Sequence, residues 1–184
     1  MLMLETPRLI LRPFQDSDLE TFAAYRSDPE VARYQGWEAP YSVEKAAEFI
    51  AEMRQKQPAI QGEWYQLAIE LKHGIRLMGD CAFHLLAHDP RQAEIGFTLA
   101  RQHQGHGYAT EAVTCLLDHL FRDLDLHRVI ASCDVDNHAS ACLMERVGMR
   151  REGHFLENIW FKGAWGSEYL YALLQKEWTL RWAS

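Results

Sequence analysis

The chain has 184 residues, a formal net charge of −7, 48% hydrophobic and 24% charged residues. That balance is ordinary for a globular domain and excludes a disordered chain. No dense Lys/Arg run is present, so no nucleic-acid partner is expected.

No apolar stretch reaches membrane-spanning length, and MLMLETPRLILR at the N-terminus has no basic region followed by a long apolar run. We therefore expect no membrane partner, no signal peptide, a cytoplasmic location and one domain over residues 1–184. Cys81, Cys115, Cys133 and Cys142 form no C-x-x-C pair, and no His/Cys spacing reads as a zinc site. Buried, reduced thiols and no metal are the expectation.

In chain order, Arg8–Phe14 reads as a short strand closed by Pro13. Asp16 offers an N-cap to a helix carrying Leu19, Phe22 and Ala23, which Pro29 ends or turns. Arg33–Tyr41 is an aromatic loop. Ser42 caps a second helix whose buried face holds Ala46, Ala47, Phe49, Ile50 and Met53. Trp64–Leu71, Leu77–Leu86 and Gln92–Ala100 form an antiparallel meander, with His73-Gly74 and Asp89-Pro90 as turns. The period then changes. Ala109, Ala112, Val113, Leu116, Leu117 and Leu120 recur at helical spacing. His127–Val135 is a strand, followed by a short helix from Asn137 or His138 to Val147, with Gly148 as its C′ residue. Asn158–Phe161 and Glu168–Leu174 are strand-like. The class is α/β (α+β).

Ile95–Ala112 carries the chemistry: a strand, a loop with Gly105 and Gly107, then the best helix in the chain. A helix start has unpaired N–H groups and partial positive charge, and glycines let a backbone approach an anion closely. The segment predicts a pyrophosphate cradle with Tyr108, Ala109 and Thr110 supplying N–H groups. It is not a P-loop, because no Gly-Lys-Ser/Thr follows, nor a full dinucleotide fingerprint, because the third glycine is missing.

Gln102-His103-Gln104-Gly105-His106-Gly107 resembles the [RQ]-x-x-G-x-[GA] acetyl-CoA loop of the GNAT acetyltransferase superfamily. Glu5–Arg12 (ETPRLILR), Asn137-His138-Ala139-Ser140 with Gly148-Met149, and Tyr169–Leu174 with Glu177-Trp178 are similar to three segments of its RimJ/RimL-type branch. The resemblance covers nearly the whole chain in order. It implies a mixed, twisted sheet that splays near its middle, flanked by helices, with acetyl-CoA as co-substrate in the V between the strand ending near Leu99 and His127–Val135. It also implies that main-chain groups of Phe97, Thr98 and Leu99 bond the pantetheine, and that Asn137 contacts the CoA arm. As a helix N-cap, Asn137 has a plainer role as well.

The reaction this implies is attack of a neutral amine on a thioester through a tetrahedral oxyanion. A backbone N–H aimed at that oxyanion is worth ~3 kcal/mol. An α-amine with pKa ~8 is partly neutral at cellular pH, whereas a Lys amine near ~10.4 is almost wholly charged, so a weak base acting through water suffices for an N-terminal amine. Glu94 is the base candidate, with a solvent-facing strand residue as the plainer reading. Many GNAT members use a tyrosine acid in the helix after Asn137. The matching residue here is Met144, beside Leu143; the RimJ/RimL-type branch carries a serine at the position of Ser140, and the resemblance makes Ser140 the acid candidate, with a first-turn cap hydroxyl as its alternative. His103 and His106 are expected at the surface or on phosphate, and Tyr34–Trp37, Phe155–Trp165 and Arg33 are candidates around the amine. The acceptor is expected to be a protein N-terminus. A small amine acceptor and a non-catalytic acetyl-CoA-binding module are the alternatives, and a homodimer stays open.

Overall fold

The computed structural model describes residues 2–74 and 77–181. Among them, eight strands form one mixed sheet: β1 (Leu4–Glu5), β2 (Leu9–Arg12), β3 (Tyr65–Leu71), β4 (Gly79–Leu86), β5 (Asp89–Leu99), β6 (Arg128–Asp134), β7 (Arg150–Phe161) and β8 (Ala164–Leu174). Their spatial order is β1-β2-β3-β4-β5-β6-β8-β7, and every neighbouring pair is antiparallel except β5–β6. The helices are α1 (Leu19–Arg26), α2 (Pro29–Ala32), α3 (Val43–Gln55), α4 (Tyr108–Asp118), α5 (His138–Arg146) and α6 (Gln175–Arg181). No helix among the described residues is long and apolar enough to cross a membrane.

Because successive strand residues point to opposite faces, the sheet carries two cores. Leu67, Ile69, Cys81, Phe83, Ala93 and Ile95 pack with Ala112, Val113, Leu116 and Leu117 of α4 and Met144 of α5. Ala68, on the other face, packs with Phe22 of α1 and with Ala46, Ile50 and Met53 of α3. Ladder partners extend that second face through Asp80, Ala82 and His84 of β4 to Thr98, Gly96 and Glu94 of β5. Gly79 is the point of closest backbone approach, since a Cβ there would lie 2.2 Å from the Thr98 carbonyl oxygen.

Most expected elements are present, and the departures have local causes. Asp16 does not cap α1. A 3-10 turn over Asp16–Asp18 precedes the helix, and the carboxylate turned inward is that of Asp18. It accepts from the Gln15 N–H at 2.8 Å and takes a two-pronged bond from the buried Arg12 guanidinium at 2.7 and 2.8 Å. Pro29 opens α2, with the Asp28 carboxylate accepting from the Glu30 N–H. Ser42 caps α3 as expected, at 3.3 Å from the Lys45 N. Asp89-Pro90 lies inside β5, because Asp89 already pairs with Leu86 and its carboxylate binds Arg91. Gly148, at φ +94°, closes α5 in a Schellman arrangement: Gly148 N–H donates to Glu145 C=O and Met149 N–H to Met144 C=O. The last hairpin is longer than expected, starting at Arg150 rather than Asn158. Its first strand, β7, is largely exposed on both faces through Glu157, and register shifts near Gly153 and Phe155–Ile159 break the alternation that would have announced it.

Candidate active site

The parallel ladder between β5 and β6 has three rungs, Gln92–Arg128, Ala93–Val129 and Glu94–Ile130. Beyond Glu94, β5 stays with β4 as far as Leu99, and β6 stays with β8 as far as Asp134. The two strands therefore part, and facing main-chain groups are released from sheet pairing. A cavity of about 1220 Å³ opens there, above the roughly 300–1,000 Å³ of ordinary ligand clefts. Phe97, Thr98 and Leu99 of β5 form one wall, α5 supplies Ala139, Ser140, Cys142, Leu143 and Arg146, and α2 with its following loop contributes Glu30, Val31, Tyr34 and Gln35.

At one end stands the mouth of α4. Gly105 and Gly107 have φ +78° and +79°, the left-handed region where a side chain would be strained. The first bond closing the helix runs from Glu111 N–H to Gly107 C=O at 3.0 Å, so the N–H groups of Tyr108, Ala109 and Thr110 have no partner within the helix. A Cβ built on Gly105 would meet no atom within 4 Å. The residues present therefore fit a diphosphate: bare backbone, converging N–H donors and the positive end of a helix dipole. Two guanidinium groups, Arg101 and Arg146, also line the cavity, and Arg146 Nη1 donates to Thr110 Oγ1 at 3.3 Å.

The loop before α4 is held from several sides. Gln104 Nε2 donates to the Leu99 carbonyl at 2.9 Å, and Arg101 pairs with Asp28 at 3.1 Å. The N-terminal segment does the rest. Glu111 accepts from Thr6 Oγ1 at 2.5 Å, from Arg8 N–H at 3.0 Å and from Arg8 Nε at 2.6 Å, while Arg8 Nη1 donates to the His106 carbonyl at 3.1 Å. The Arg8 guanidinium lies over the Tyr108 ring at 4.5 Å. Burial pushes the Glu111 carboxyl up, but the bonds from Thr6 and Arg8 outweigh it and hold its pKa below the ordinary carboxylate value. Thus the ETPRL segment fastens the first turn of α4 to the sheet.

Phe97, Thr98, Leu99, Gln104, Gly105, Gly107, Tyr108, Ala109, Thr110, Asn137 and Ser140 all line the one cavity. Gln102 and His106 sit in the same loop, exposed and outside the lining. His103 is buried rather than on the surface, and burial together with His106 lowers its pKa. Asn137 caps α5, its Oδ1 accepting from the Ser140 N–H at 3.2 Å, which leaves the Ser140 hydroxyl uncommitted to the cap. Glu94 stands at the last rung of the parallel ladder, on the face away from α4, with Oε2 3.2 Å from His84 Nε2. In the aromatic loop, Tyr34 lines the cavity and donates to the Asp136 carbonyl at 3.3 Å, whereas Trp37 packs into the second core. Cys142 is exposed on the cavity wall, contrary to the expected burial; Cys133 is buried, and burial pushes its thiol up to about 11. Sequence reasoning missed Arg8, Arg101, Glu111 and Arg146. Arg8, Arg101 and Glu111 had a signal, as charged residues within two of the motif-bearing segments, whereas Arg146 had none.

A mixed sheet that splays beside a glycine-bearing helix mouth defines a fold with a ligand-sized cleft between two half-sheets, lined at one end by groups that fit a diphosphate. The comparisons agree. The family described as Acetyltransferase (GNAT) domain matches residues 8–150, and the chain belongs to it. The N-acetyltransferase YoaA of Bacillus subtilis is 34% identical over 176 residues, covering 94% of this chain and 97% of that one. The crystal structure of a GNAT-family acetyltransferase from Bacillus anthracis superposes with a TM-score of 0.83 at 30% identity, over 95% of this chain and 99% of that one. Mycobacterium smegmatis RimJ in complex with CoA-disulfide superposes at 0.80 with 25% identity, over 96% and 87%. Shorter matches reach two relatives with named acceptors. The [ribosomal protein uS5]-alanine N-acetyltransferase of Escherichia coli is 29% identical over 85 residues, 46% of this chain and 44% of that one. The spermidine N(1)-acetyltransferase of Vibrio cholerae is 31% identical over 91 residues, 50% and 53%. The chain is an N-acetyltransferase, and GNAT acetyltransferases use acetyl-CoA.

Proposed function

We propose that this enzyme acetylates the α-amine of a protein N-terminus. The observation that carries the reading is the open cleft between β5 and β6, with the α4 mouth at one end and Glu94 at the vertex on the opposite face. The CoA diphosphate rests on the N–H groups of Tyr108, Ala109 and Thr110, its pantetheine runs along Phe97–Leu99, and Asn137 meets the arm from α5. The acceptor approaches from the α1–α3 face. The lone pair of the neutral amine forms the C–N bond and drives the carbonyl electrons onto oxygen; Glu94, through a water, takes the proton the now cationic nitrogen sheds; the oxyanion collapses, the C–S bond breaks with its electron pair leaving on sulfur, and the Ser140 hydroxyl bonds the departing thiolate. An α-amine needs only this weak base, since its pKa of ~8 leaves a useful neutral fraction at neutral pH. The likeness to a ribosomal-protein alanine acetyltransferase supports the same acceptor class.

A second reading keeps the chemistry and changes the acceptor to a polyamine. The spermidine acetyltransferase match and the net charge of −7 favour it. Release of CoA thiol, measured with acetyl-CoA against peptides of differing first residue and a panel of small amines, separates the two. Turnover of peptides with free but not blocked N-termini supports the first. Turnover of spermidine with all peptides inert replaces it with the second. Uptake of acetyl-CoA without thiol release for any amine overturns both in favour of a binding module.

A further inference from the structure

We infer that His84 is a positioning residue for Glu94, fixing which carboxylate oxygen is left free to receive the amine's proton. The inference rests on the reading of Glu94 as base given above.

His84 and Glu94 are direct partners in the antiparallel β4–β5 ladder, so their side chains project from the same face of the sheet. His84 Nε2 lies 3.2 Å from Glu94 Oε2. The other ring nitrogen, Nδ1, is buried and has no hydrogen-bond partner among the described residues. That asymmetry sets the proton. A proton on Nδ1 would face no acceptor and would turn the Nε2 lone pair against a carboxylate oxygen; a proton on Nε2 gives a bond to Oε2 and leaves Nδ1 with only a lone pair. Of the two neutral tautomers, the Nε2–H form is the one this geometry selects, with His84 as donor and the Glu94 carboxylate as acceptor.

The ring is also clamped. Trp64 packs against it with centroids 4.3 Å apart. A histidine with a tilted tryptophan ring against it, at an interplanar angle of 43°, and bonded at one nitrogen cannot rotate without disturbing both contacts. It consequently holds the carboxylate by Oε2 and leaves Oε1 for other partners. The next residue on this face of β5 is Gly96, so bare backbone separates Glu94 from Thr98, which lines the cavity. The Trp64 ring flanks that strip, its nearest carbon 4.0 Å from where a Gly96 Cβ would stand, so an acceptor amine, or the water before it, passes beside Trp64. In the reaction the proton moves from the amine to water and from water to Glu94 Oε1; His84 keeps its own proton on Nε2 throughout and Glu94 later returns its proton to solvent.

Two measurements test this. Nitrogen-15 spectra of the full-length protein with labelled histidines, assigned by loss of one set of signals in His84→Gln, should show His84 carrying its proton on Nε2 in preference to Nδ1, and Glu94→Ala, which removes the acceptor, should weaken that preference. A wild-type ring protonated at Nδ1, or averaging freely between the two forms, overturns the proposal without any need for an acceptor. The second measurement uses acetyl-CoA and whichever peptide or small amine turns over. His84→Ala should lower kcat about 10–100-fold, within the range expected for impairing a general base, with KM for acetyl-CoA changed less than about twofold. In a Glu94→Gln background the same substitution should change kcat less than about twofold, because its effect runs through the lost carboxylate. His84→Gln, which can place an amide N–H near the Nε2 position, should recover about fivefold or more over alanine. Equal losses in both backgrounds overturn the role of His84 while leaving Glu94 as base. Full kcat in Glu94→Gln alone overturns the reading of the base, and this inference with it.

Discussion

Replacing Glu111 by glutamine tests whether the N-terminal segment really fastens α4. The carboxylate accepts three bonds, from Thr6 Oγ1 at 2.5 Å, Arg8 N–H at 3.0 Å and Arg8 Nε at 2.6 Å. A glutamine keeps one acceptor oxygen, but its amide N–H₂ then faces the Arg8 Nε–H, donor against donor. The Arg8 side chain is 46% exposed and that of Glu111 17%, so the ion pair is discounted for solvent to about 0.5–1 kcal/mol. Weakening the two remaining charge-assisted bonds adds about 0.5 kcal/mol each. The expected loss is about 1.5–2 kcal/mol, which at roughly 2–4 °C per kcal/mol for a domain of this size lowers Tm by about 3–8 °C. The pKa of Glu111 lies below its unfolded value, so this stabilisation is fully present above the unfolded pKa of ~4.3 and is lost as pH falls through the folded pKa. Melts followed by circular dichroism from about pH 7 down to about pH 4 should show the gap between wild type and Glu111→Gln starting to close at the acid end. Acetyl-CoA affinity should also fall several-fold, because Arg8 holds the His106 carbonyl and lies over Tyr108. Coincident melts at pH 7 would refute the fastening.

Gly107→Glu should abolish acetyl-CoA uptake in calorimetry while circular dichroism stays native in shape, since it puts a like charge into the cradle at φ +79°; unchanged affinity overturns the cradle. Arg12→Ala should cost about 3–5 kcal/mol in urea unfolding, because it leaves the buried Asp18 carboxylate unpaired; a loss under about 1 kcal/mol contradicts that account. Ser140→Ala keeps the main-chain N–H that Asn137 accepts, so it isolates the hydroxyl. It should lower kcat by less than about tenfold, since a leaving thiol of pKa ~8.5 needs little protonation at neutral pH, and an unchanged kcat removes Ser140 from the chemistry.

Much of this was legible in the sequence where one physical signal dominated. The period change at Ala109 and the two glycines before it placed α4 and its open mouth, because few alternatives to a helix satisfy that apolar spacing. Asn137, Gly148 and Met149 placed α5 for the same reason. What stayed hidden depends on partners distant in the chain. The cavity-facing guanidiniums of Arg101 and Arg146 are ordinary surface residues in sequence, and the Arg8–Glu111 pairing spans more than a hundred positions. The His84–Glu94 bond needs the exact β4–β5 register, which alternation alone leaves open by one residue. The first half of β7 was missed because neither face is covered.

The brevity of the contact between β5 and β6 bears on what holds the sheet together. With three rungs joining them, residues up to Leu99 and those from Arg128 onward form two sub-sheets whose hydrogen bonds run mainly between strands consecutive or nearly so in sequence. The two halves are joined less by ladder bonds than by side chains, since Ala93 and Ile95 of one and Val129 and Ala131 of the other share a single core with α4 and α5. The sheet can therefore part along its backbone, leaving room for a substrate, while the shared core still holds its halves together.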